Sequence, residues 1–142
     1  MKEKSEKKNT KAIIIERSFF SYSIFQNVQM KLNNFNHSEC AVMKTWENYL
    51  DREKGHGADY VIFLSVDPSI AFGRVKNRNN TYDVYTSSIF IETLYDEYVE
   101  KFNNCSLKWP KQFYCIDANS SFEHVLFNVK QIIYSSCIKN TK

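Results

Sequence analysis

The stretch Asp59-Tyr60-Val61-Ile62-Phe63-Leu64-Ser65-Val66, followed by Asp67-Pro68-Ser69, decides the fold class. Its apolar residues form a near-continuous run instead of alternating with polar ones, which predicts a strand of a parallel sheet buried on both faces. Asp67 can cap a helix, and Pro68 suits a first helical position because that turn has no internal acceptor for the missing N–H. The sequence therefore predicts a strand that leads directly into a helix.

Two shorter apolar runs predict further strands. Ala12–Ile15 contains no polar residue, and Gln112–Ile116 ends at Asp117. The segments between and after these runs carry apolar residues at helical spacing, and no hairpin signal separates the strands. Strands that alternate with helices indicate an α/β domain, over residues 12–138, with a parallel sheet of about three strands flanked by helices.

Five helices are predicted from apolar spacing and from residues that favour helix ends. The first covers Phe20 to Leu32, the second starts at Ser38, the third starts after Asp67, the fourth starts at Ser87 or Ser88, and the last is capped by Ser120 or Ser121. In the last helix we expect these apolar residues to face inward: Phe122, Val125, Leu126, Val129, Ile132 and Ile133.

Positive charge is concentrated at one end of the chain. Met1–Lys11 holds five Lys and two Glu, which accounts for the whole net charge of +3. We expect this segment to be a basic disordered tail, and the balanced remainder disfavours a nucleic-acid partner. No window approaches the roughly 18 apolar residues of a membrane span. The four cysteines form no Cys-x-x-Cys pair, so we expect a cytoplasmic protein without a membrane partner.

Charged side chains follow two of the predicted secondary-structure elements. Glu16-Arg17-Ser18 comes directly after Ala12–Ile15, at the sheet edge where α/β proteins place their sites. Arg74, Lys76 and Arg78 run into an Asn-rich loop, a segment able to close over a phosphate. Taken singly, each group is more often an ordinary surface ion pair or a solvated helix face.

In order and spacing, these segments resemble the carboxyl-terminal part of the deoxyribonucleoside kinase family, cellular and viral enzymes that phosphorylate the 5′-hydroxyl of deoxynucleosides. The family's Glu-Arg-Ser motif looks like Ile15-Glu16-Arg17-Ser18-Phe19-Phe20-Ser21, and its Trp-bearing helix looks like Met43–Leu50. Its Ala-Asp-x-x-Ile-x-Leu strand with the following helix is similar to Ala58–Val75, and its lid is similar to Arg74–Phe102. The resemblance implies a partial P-loop kinase fold.

The resemblance also implies roles for individual residues. Glu16 would be the motif carboxylate near Mg²⁺ and the phosphates, a catalytic and metal-site residue, and Arg17 would orient the sugar 5′-hydroxyl and its general base. Asp83 falls where the family has a lid Glu that contacts the sugar. Arg74, Lys76 and Arg78 match lid cations that stabilise the transferring phosphoryl group of ATP. The sequence departs from the family pattern at three positions: Tyr22, Ser23 and Asn80.

The phosphate-binding loop of the family has no match in this sequence. The only glycines are Gly55, Gly57 and Gly73, and none begins G-x-x-x-x-G-K-[ST]. The resemblance places the P-loop strand between the strands that match Ala12–Ile15 and Tyr60–Val66.

Three interpretations follow from that missing loop. In the first, the chain is a truncated or split kinase that acts on a deoxynucleoside with ATP when another chain supplies the P-loop half. In the second, it is a non-catalytic module that binds a complete kinase subunit or a second copy. In the third interpretation, it is an incomplete reading frame. Abundant Asn, Lys, Ile and Tyr are typical of AT-rich coding, as in many large DNA viruses.

Overall fold

The fold is described here from a computed structural model, which covers residues 13–16, 19–54, 58–78, 80–83, 85–108 and 113–138. The elements, in chain order, are α1 (Phe19–Lys31), α2 (His37–Lys54), β1 (Val61–Ser65), α3 (Pro68–Asn77), a 3₁₀ turn (Thr81–Asp83), α4 (Ser88–Lys108), β2 (Phe113–Asp117) and α5 (Phe122–Ile132). A π-helical turn, Ile133–Ile138, follows α5. None of the described helices is both long enough and apolar enough to cross a membrane.

The sheet consists of β1 and β2, which pair in parallel with Val61 opposite Phe113 and Ser65 opposite Asp117. The ladder continues past β2, where the Ala118 N–H donates to the Ser65 carbonyl oxygen at 2.8 Å. Helices α3 and α4 lie in the crossover between the two strands, as parallel pairing requires. The predicted α/β class, with a parallel sheet flanked by helices, is therefore confirmed.

The strand predicted over Ala12–Ile15 is not found in its described part. Ile13, Ile14 and Ile15 belong to no strand and are 75%, 77% and 61% exposed. A strand persists only where a neighbour accepts its backbone hydrogen bonds, and no described strand lies beside these residues. The described sheet accordingly has two strands where about three were expected. Ala12 and the segment Met1–Lys11 lie outside the described residues.

The core lies between α1, α4 and the sheet. Ile24 and Val28 of α1 are fully buried, and Ile24 forms a cluster with Phe113 and partly buried side chains of β1 and α4. The ring of Phe63 stacks on Tyr98 with centroids 5.6 Å apart and planes inclined by 8°. Apolar packing of this kind fixes α4 across the sheet and gives α1 its place on α4.

A polar network joins α1 to α4 beside the apolar core. The buried Glu97 carboxylate accepts a hydrogen bond from Asn27 Nδ2 at 3.0 Å and pairs with Lys31. One turn further along α4, Lys101 Nζ donates to Ser23 and lies 3.7 Å from a carboxylate oxygen of Glu47 on α2. These contacts fix the register of α1 along α4, because a buried carboxylate is stable only when partnered.

Side-chain caps explain where the helices begin. Asn36 and Glu39 bond reciprocally at the start of α2, with N···O distances of 2.8 and 3.0 Å. The predicted cap at Ser38 is therefore wrong, because only Asn36 has an acidic partner three residues on. Asp67 caps α3 as predicted. At the two ambiguous starts, Ser87 accepts from the Phe90 N–H and Ser121 accepts from the His124 N–H.

Helix α5 exposes part of the apolar stripe that was expected to face inward. Phe122 is 74% exposed and Leu126 is 36% exposed, whereas Val125, Val129 and Ile132 are partly buried. The helix packs on β2, and the two-stranded sheet is too narrow to cover the whole stripe. This part of the prediction is wrong, because helical spacing identifies an apolar face without showing how much of it a sheet covers.

Replacing Glu97 with Ala tests the polar network. The substitution leaves Asn27 and Lys31 without their shared partner, so we expect the free energy of unfolding to fall by about 1–3 kcal/mol, measured by urea denaturation. Glu92→Ala on the exposed side of α4 is the matched control, with an expected change within about 0.5 kcal/mol. Equal effects of the two substitutions would contradict the stabilising role of Glu97.

Candidate functional site at the carboxyl edge of the sheet

The loops that leave β1 and β2 are tied together at the carboxyl edge of the sheet. The Asp67 N–H donates to Asn119 Oδ1 at 2.7 Å, and the Asn119 N–H donates to Asp117 Oδ1 at 2.9 Å. Sequence reasoning missed Asn119. An Asp and an Asn two residues apart after a strand are typical of a turn in which side chains bond the backbone, and this signal could have identified it. These hydrogen bonds hold the two loops together as a polar surface at the edge of the sheet.

Arg74 of α3 binds the loop that follows β2. Its Nη1 donates to the Ala118 carbonyl at 2.9 Å, and its Nη2 lies 3.4 Å from the Asn119 carbonyl and 3.5 Å from that of Ser120. The planar guanidinium can serve several acceptors at once. Arg74 therefore anchors α3 to the edge of the sheet, and its donors are largely engaged by the protein.

Arg78 and Asp83, two residues of the predicted lid, lie together. Arg78 Nη2 is 3.0 Å from Asp83 Oδ2, at the end of the 3₁₀ turn Thr81–Asp83. The Tyr82 N–H donates to Asn80 Oδ1 at 3.2 Å and stabilises the same turn. The stretch predicted as a surface loop thus contains a short ordered turn, in which the Arg78 charge is offset by that of Asp83.

Lys76 and Glu16, the other described residues of the predicted site, have different surroundings. Lys76 Nζ lies 5.1 Å from the ring centroid of Phe72, within cation–π range, and the residue is exposed. Glu16 is also exposed. Within the described residues, no hydrogen bond or ion pair joins Glu16 to the lid residues. Arg17 and Ser18 lie outside the described residues.

A cavity of about 320 Å³ lies against the carboxyl end of β1. Its wall includes Leu64 of β1 and Val66 just after it, Ala71 of α3, and Tyr95 and Tyr98 of α4. Its volume is at the lower end of the range of small-molecule sites, roughly 300–1,000 Å³. The cavity is adjacent to α3, the helix that carries the basic lid residues. Tyr98 packs on Phe63 and also lines this space.

Gln26 is a buried polar residue of α1 that sequence reasoning passed over. It is 3% exposed, and neither its amide oxygen nor its amide nitrogen has a hydrogen-bond partner among the described residues. Burying an amide in this way costs free energy. The sequence signal was weak, because Gln26 appears only as one of several polar interruptions in the α1 stripe.

The described residues offer limited means of holding Mg²⁺ or ATP. No group of three or more His, Cys, Asp or Glu side chains is placed to hold a metal within the described ranges. Glu16 can supply one carboxylate, which suits Mg²⁺ when phosphates and water complete its shell. A Cβ added to Gly73 would have no other atom within 4 Å. The chain therefore does not fold closely around Gly73, as it would in a phosphate cradle. Gly55 and Gly57 lie outside the described residues. The described residues therefore do not fit a triphosphate cradle.

Hydrogen bonding lowers the pKa of one carboxylate at this edge. The Ser69 hydroxyl and then the Ser69 N–H donate to Asp67 Oδ1 and hold the pKa of Asp67 below its usual range. A carboxylate that caps a helix N-terminus is stabilised in its charged form in the same way. The charged form of Asp67 therefore stabilises the start of α3, the helix that carries Arg74.

Comparisons with known proteins give a consistent result. A family model described as deoxynucleoside kinase matches residues 1–138. Protein 143R of Invertebrate iridescent virus 6, named provisionally as a kinase, is 27% identical over 122 residues, which is 85% of this chain and 59% of the relative.

A solved structure has a similar fold. The deoxyadenosine kinase from M. mycoides with bound dCTP superposes with a TM-score of 0.71 at 22% identity, covering 82% of this chain and 60% of that one. The chain thus spans about three-fifths of the length of each relative.

Acid titration tests the role of Asp67. Its stabilising effect is complete above about pH 3.9, the pKa of an unfolded aspartate, and is lost as the pH falls through the lower folded-state pKa. We expect the Ser69 and Ile70 amide signals to shift in that window and the shift to be absent in Asp67→Asn. Asp59→Asn, at an exposed position before β1, should keep it. An unchanged profile in Asp67→Asn would contradict the assignment.

Replacing Gln26 with Met tests whether its amide is unsatisfied. Met keeps the length of the side chain and removes the polar atoms, so we expect the free energy of unfolding to rise by about 1 kcal/mol or more. Gln29→Met is the control, because Gln29 Oε1 accepts a hydrogen bond from Asn34, and this change should not stabilise. A loss of stability in Gln26→Met would show that the amide is partnered. Urea denaturation gives both values.

Proposed function

The chain belongs to the deoxynucleoside kinase family, and on that premise we propose that it supplies the lid and the Glu-Arg-Ser segment of a kinase acting on a deoxynucleoside 5′-hydroxyl. ATP with Mg²⁺ would supply the phosphoryl group. The phosphate cradle would have to be supplied by another segment, because no G-x-x-x-x-G-K-[ST] motif occurs in the sequence. Catalysis of this reaction depends on positioning and on stabilising charge.

The lid residues would act on the negative charge of the transferring group. Arg74 holds α3 against the Ala118 carbonyl, and this contact fixes the helix that carries Lys76 and leads to Arg78. In the proposed complex Arg78 exchanges Asp83 for a phosphate oxygen, and Asp83 becomes free to accept a hydrogen bond from a sugar hydroxyl. The 3.0 Å pair is then the resting state of two site residues.

The remaining site residues would act on the nucleoside. We assign Glu16 to the Mg²⁺ and phosphate side of the site, and Arg17 to orienting the 5′-hydroxyl. The cavity beside β1, with Tyr95 and Tyr98 in its wall, would hold part of the sugar and base. Arg74 is a positioning residue in this proposal, because its guanidinium is engaged by backbone carbonyls.

The observation that carries the proposal is the placement of α3. In a chain of this family, the helix that carries Arg74 and Lys76 and is capped by Arg78 begins just after β1, lies beside a cavity and is anchored through Arg74. Cations on a helix beside a cavity can stabilise the negative charge of a transferring phosphoryl group.

A second candidate is a non-catalytic module that binds a complete nucleoside kinase and regulates it. The open sheet edge and the absence of a described phosphate cradle favour it. Mixing the chain with a segment that carries a phosphate cradle separates the two candidates, because a regulatory module would produce no phosphoryl transfer in that mixture.

The isolated chain should not phosphorylate thymidine, deoxycytidine or deoxyadenosine with Mg-ATP, because the described residues supply no phosphate cradle. Mixing it with the segment of protein 143R that this chain does not match should produce turnover, measured as formation of the 5′-monophosphate. Glu16→Gln should abolish that turnover, whereas Glu92→Gln on the exposed side of α4 should keep it. Turnover by the isolated chain that Glu16→Gln abolishes would overturn the account.

Weak affinity for inorganic triphosphate should reside on the lid and fall with added salt, because exposed charges are screened within about 8 Å at physiological ionic strength. Lys76→Gln with Arg78→Gln should remove the heat of binding in titration calorimetry. Arg74 is left unchanged because it anchors α3. The control is Lys44→Gln with Lys130→Gln, at exposed positions of α2 and α5, which should keep the affinity. Equal loss in both pairs would contradict the lid assignment.

A further inference from the structure

Two tyrosines of the predicted lid are almost fully exposed. Tyr82 is 88% exposed and Tyr85 is 93% exposed, the two highest values among the large apolar side chains of the described residues. Neither ring contacts another ring, and neither hydroxyl forms a hydrogen bond, within the described part of the chain. A single exposed tyrosine is common at protein surfaces, whereas two exposed rings three residues apart form a local aromatic surface.

The turn that carries these rings is ordered by its own hydrogen bonds. The Asp83 N–H donates to the Asn80 carbonyl at 2.9 Å, and the Thr86 N–H donates to the Asp83 carbonyl at 3.0 Å. The Tyr82 N–H donates to Asn80 Oδ1 at 3.2 Å, and Arg78 Nη2 lies 3.0 Å from Asp83 Oδ2. The rings therefore extend from an ordered backbone, which lowers the entropic cost of binding a ligand against them.

Positive charge lies beside the two rings. The segment from residue 74 to residue 88 holds three basic residues and one acidic residue, which gives a formal charge of +2. Lys76 is exposed, and 63% of the Arg78 side chain is exposed. Cations bind phosphate oxygens, and aromatic rings stack on nucleobases. The two features together match a ligand that carries negative charge next to a flat ring system.

We propose that Tyr82 and Tyr85 stack on the base of a nucleoside triphosphate whose phosphates contact Lys76 and Arg78. The inference rests on the proposed function, because it gives the lid a direct contact with the phosphate donor. Stacking on an aromatic side chain tolerates every base, since each base has a π-face. The lid therefore accepts purine and pyrimidine triphosphates alike.

Charge and composition favour a nucleotide over a macromolecule on this surface. A protein or a membrane binds to a contiguous apolar patch, whereas the residues beside the two rings are polar: Asn80, Thr81, Asp83 and Thr86. A single-stranded nucleic acid is held by a longer basic groove. Outside residues 74–88, the rest of residues 12–142 holds 11 basic and 13 acidic residues, which does not favour a polyanion.

The experiment uses the full chain and titration calorimetry with two probes, ATP and inorganic triphosphate. We expect ATP to bind at least about fivefold more tightly, the factor that corresponds to the lower end of base–aromatic stacking. Inorganic triphosphate has no base and carries at least as much negative charge as ATP, so this difference reports stacking. GTP, CTP and UTP should bind within about fivefold of ATP, because stacking tolerates every base.

Substitution of both tyrosines assigns the difference to the rings. Tyr82→Ala with Tyr85→Ala should bring the affinity for ATP down to that for inorganic triphosphate, which should itself stay unchanged. Tyr82→Phe with Tyr85→Phe keeps both rings and should keep the preference for ATP. Tyr49→Ala removes an exposed ring of α2, outside the lid, and should keep it as well.

NMR of the unaltered chain gives a second measurement that does not depend on how the variants fold. The ring-proton signals of Tyr82 and Tyr85 should shift on addition of ATP and should shift much less with inorganic triphosphate. Absence of ATP binding, equal affinity for the two probes, or equal losses in the Ala and Phe variants would each overturn the proposal. A single-stranded oligonucleotide that binds these rings more tightly than ATP would also overturn it.

The outcome is separable from that of the proposed function. A preference for ATP that is lost in the Ala variant, without turnover on addition of a cradle segment, supports the stacking contact and contradicts the kinase proposal. Turnover with a KM for ATP that the Ala substitutions leave unchanged supports the kinase proposal and contradicts stacking by Tyr82 and Tyr85.

Discussion

The parallel pairing of β1 with β2 is the constraint on which the rest of the structure depends. Parallel strands require a crossover, and here the crossover consists of α3, the 3₁₀ turn and α4. Pairing also places the ends of both strands at one edge, where the Ala118 N–H reaches the Ser65 carbonyl and Arg74 reaches the Ala118 carbonyl. One backbone register thus fixes the position of the basic helix.

The same pairing explains why only part of the fold could be predicted from the sequence. The strand before Asp67 and the Asp-Pro start of α3 are local signals, and both are confirmed. The predicted burial of that strand on both faces is wrong, because none of the β1 side chains is fully buried and Leu64 is 46% exposed. Ile13–Ile15 and Phe122 are as apolar as core residues, yet they are exposed. Their burial would require a neighbouring element that no described residue provides. Local composition specifies what a segment can bury, and only tertiary contacts determine whether it does.

In the candidate site, too, the residue types can be read from the sequence, whereas their contacts cannot. The family predicted from residue order is confirmed by the comparisons, whereas the lid roles of the basic residues stay predictions. Sequence alone could not show that Arg74 is engaged by carbonyls or that Arg78 is paired with Asp83. Arg74 contacts a loop more than forty residues further along the chain, and Asp83 is brought to Arg78 by the 3₁₀ turn. Neither contact can be read from the local sequence. The roles of Glu16 and Arg17 stay predictions.

Amide hydrogen exchange of β1 in the isolated chain, measured residue by residue by NMR, tests the central claim most directly. If β1 is bonded on one side only, the amides of Phe63 and Ser65 are protected by β2 while those of Ile62 and Leu64 exchange rapidly. This alternation is the result that the account predicts. Uniform protection of all four amides would show that β1 is bonded on both sides, and would contradict an account in which β2 is its one neighbouring strand in the described sheet.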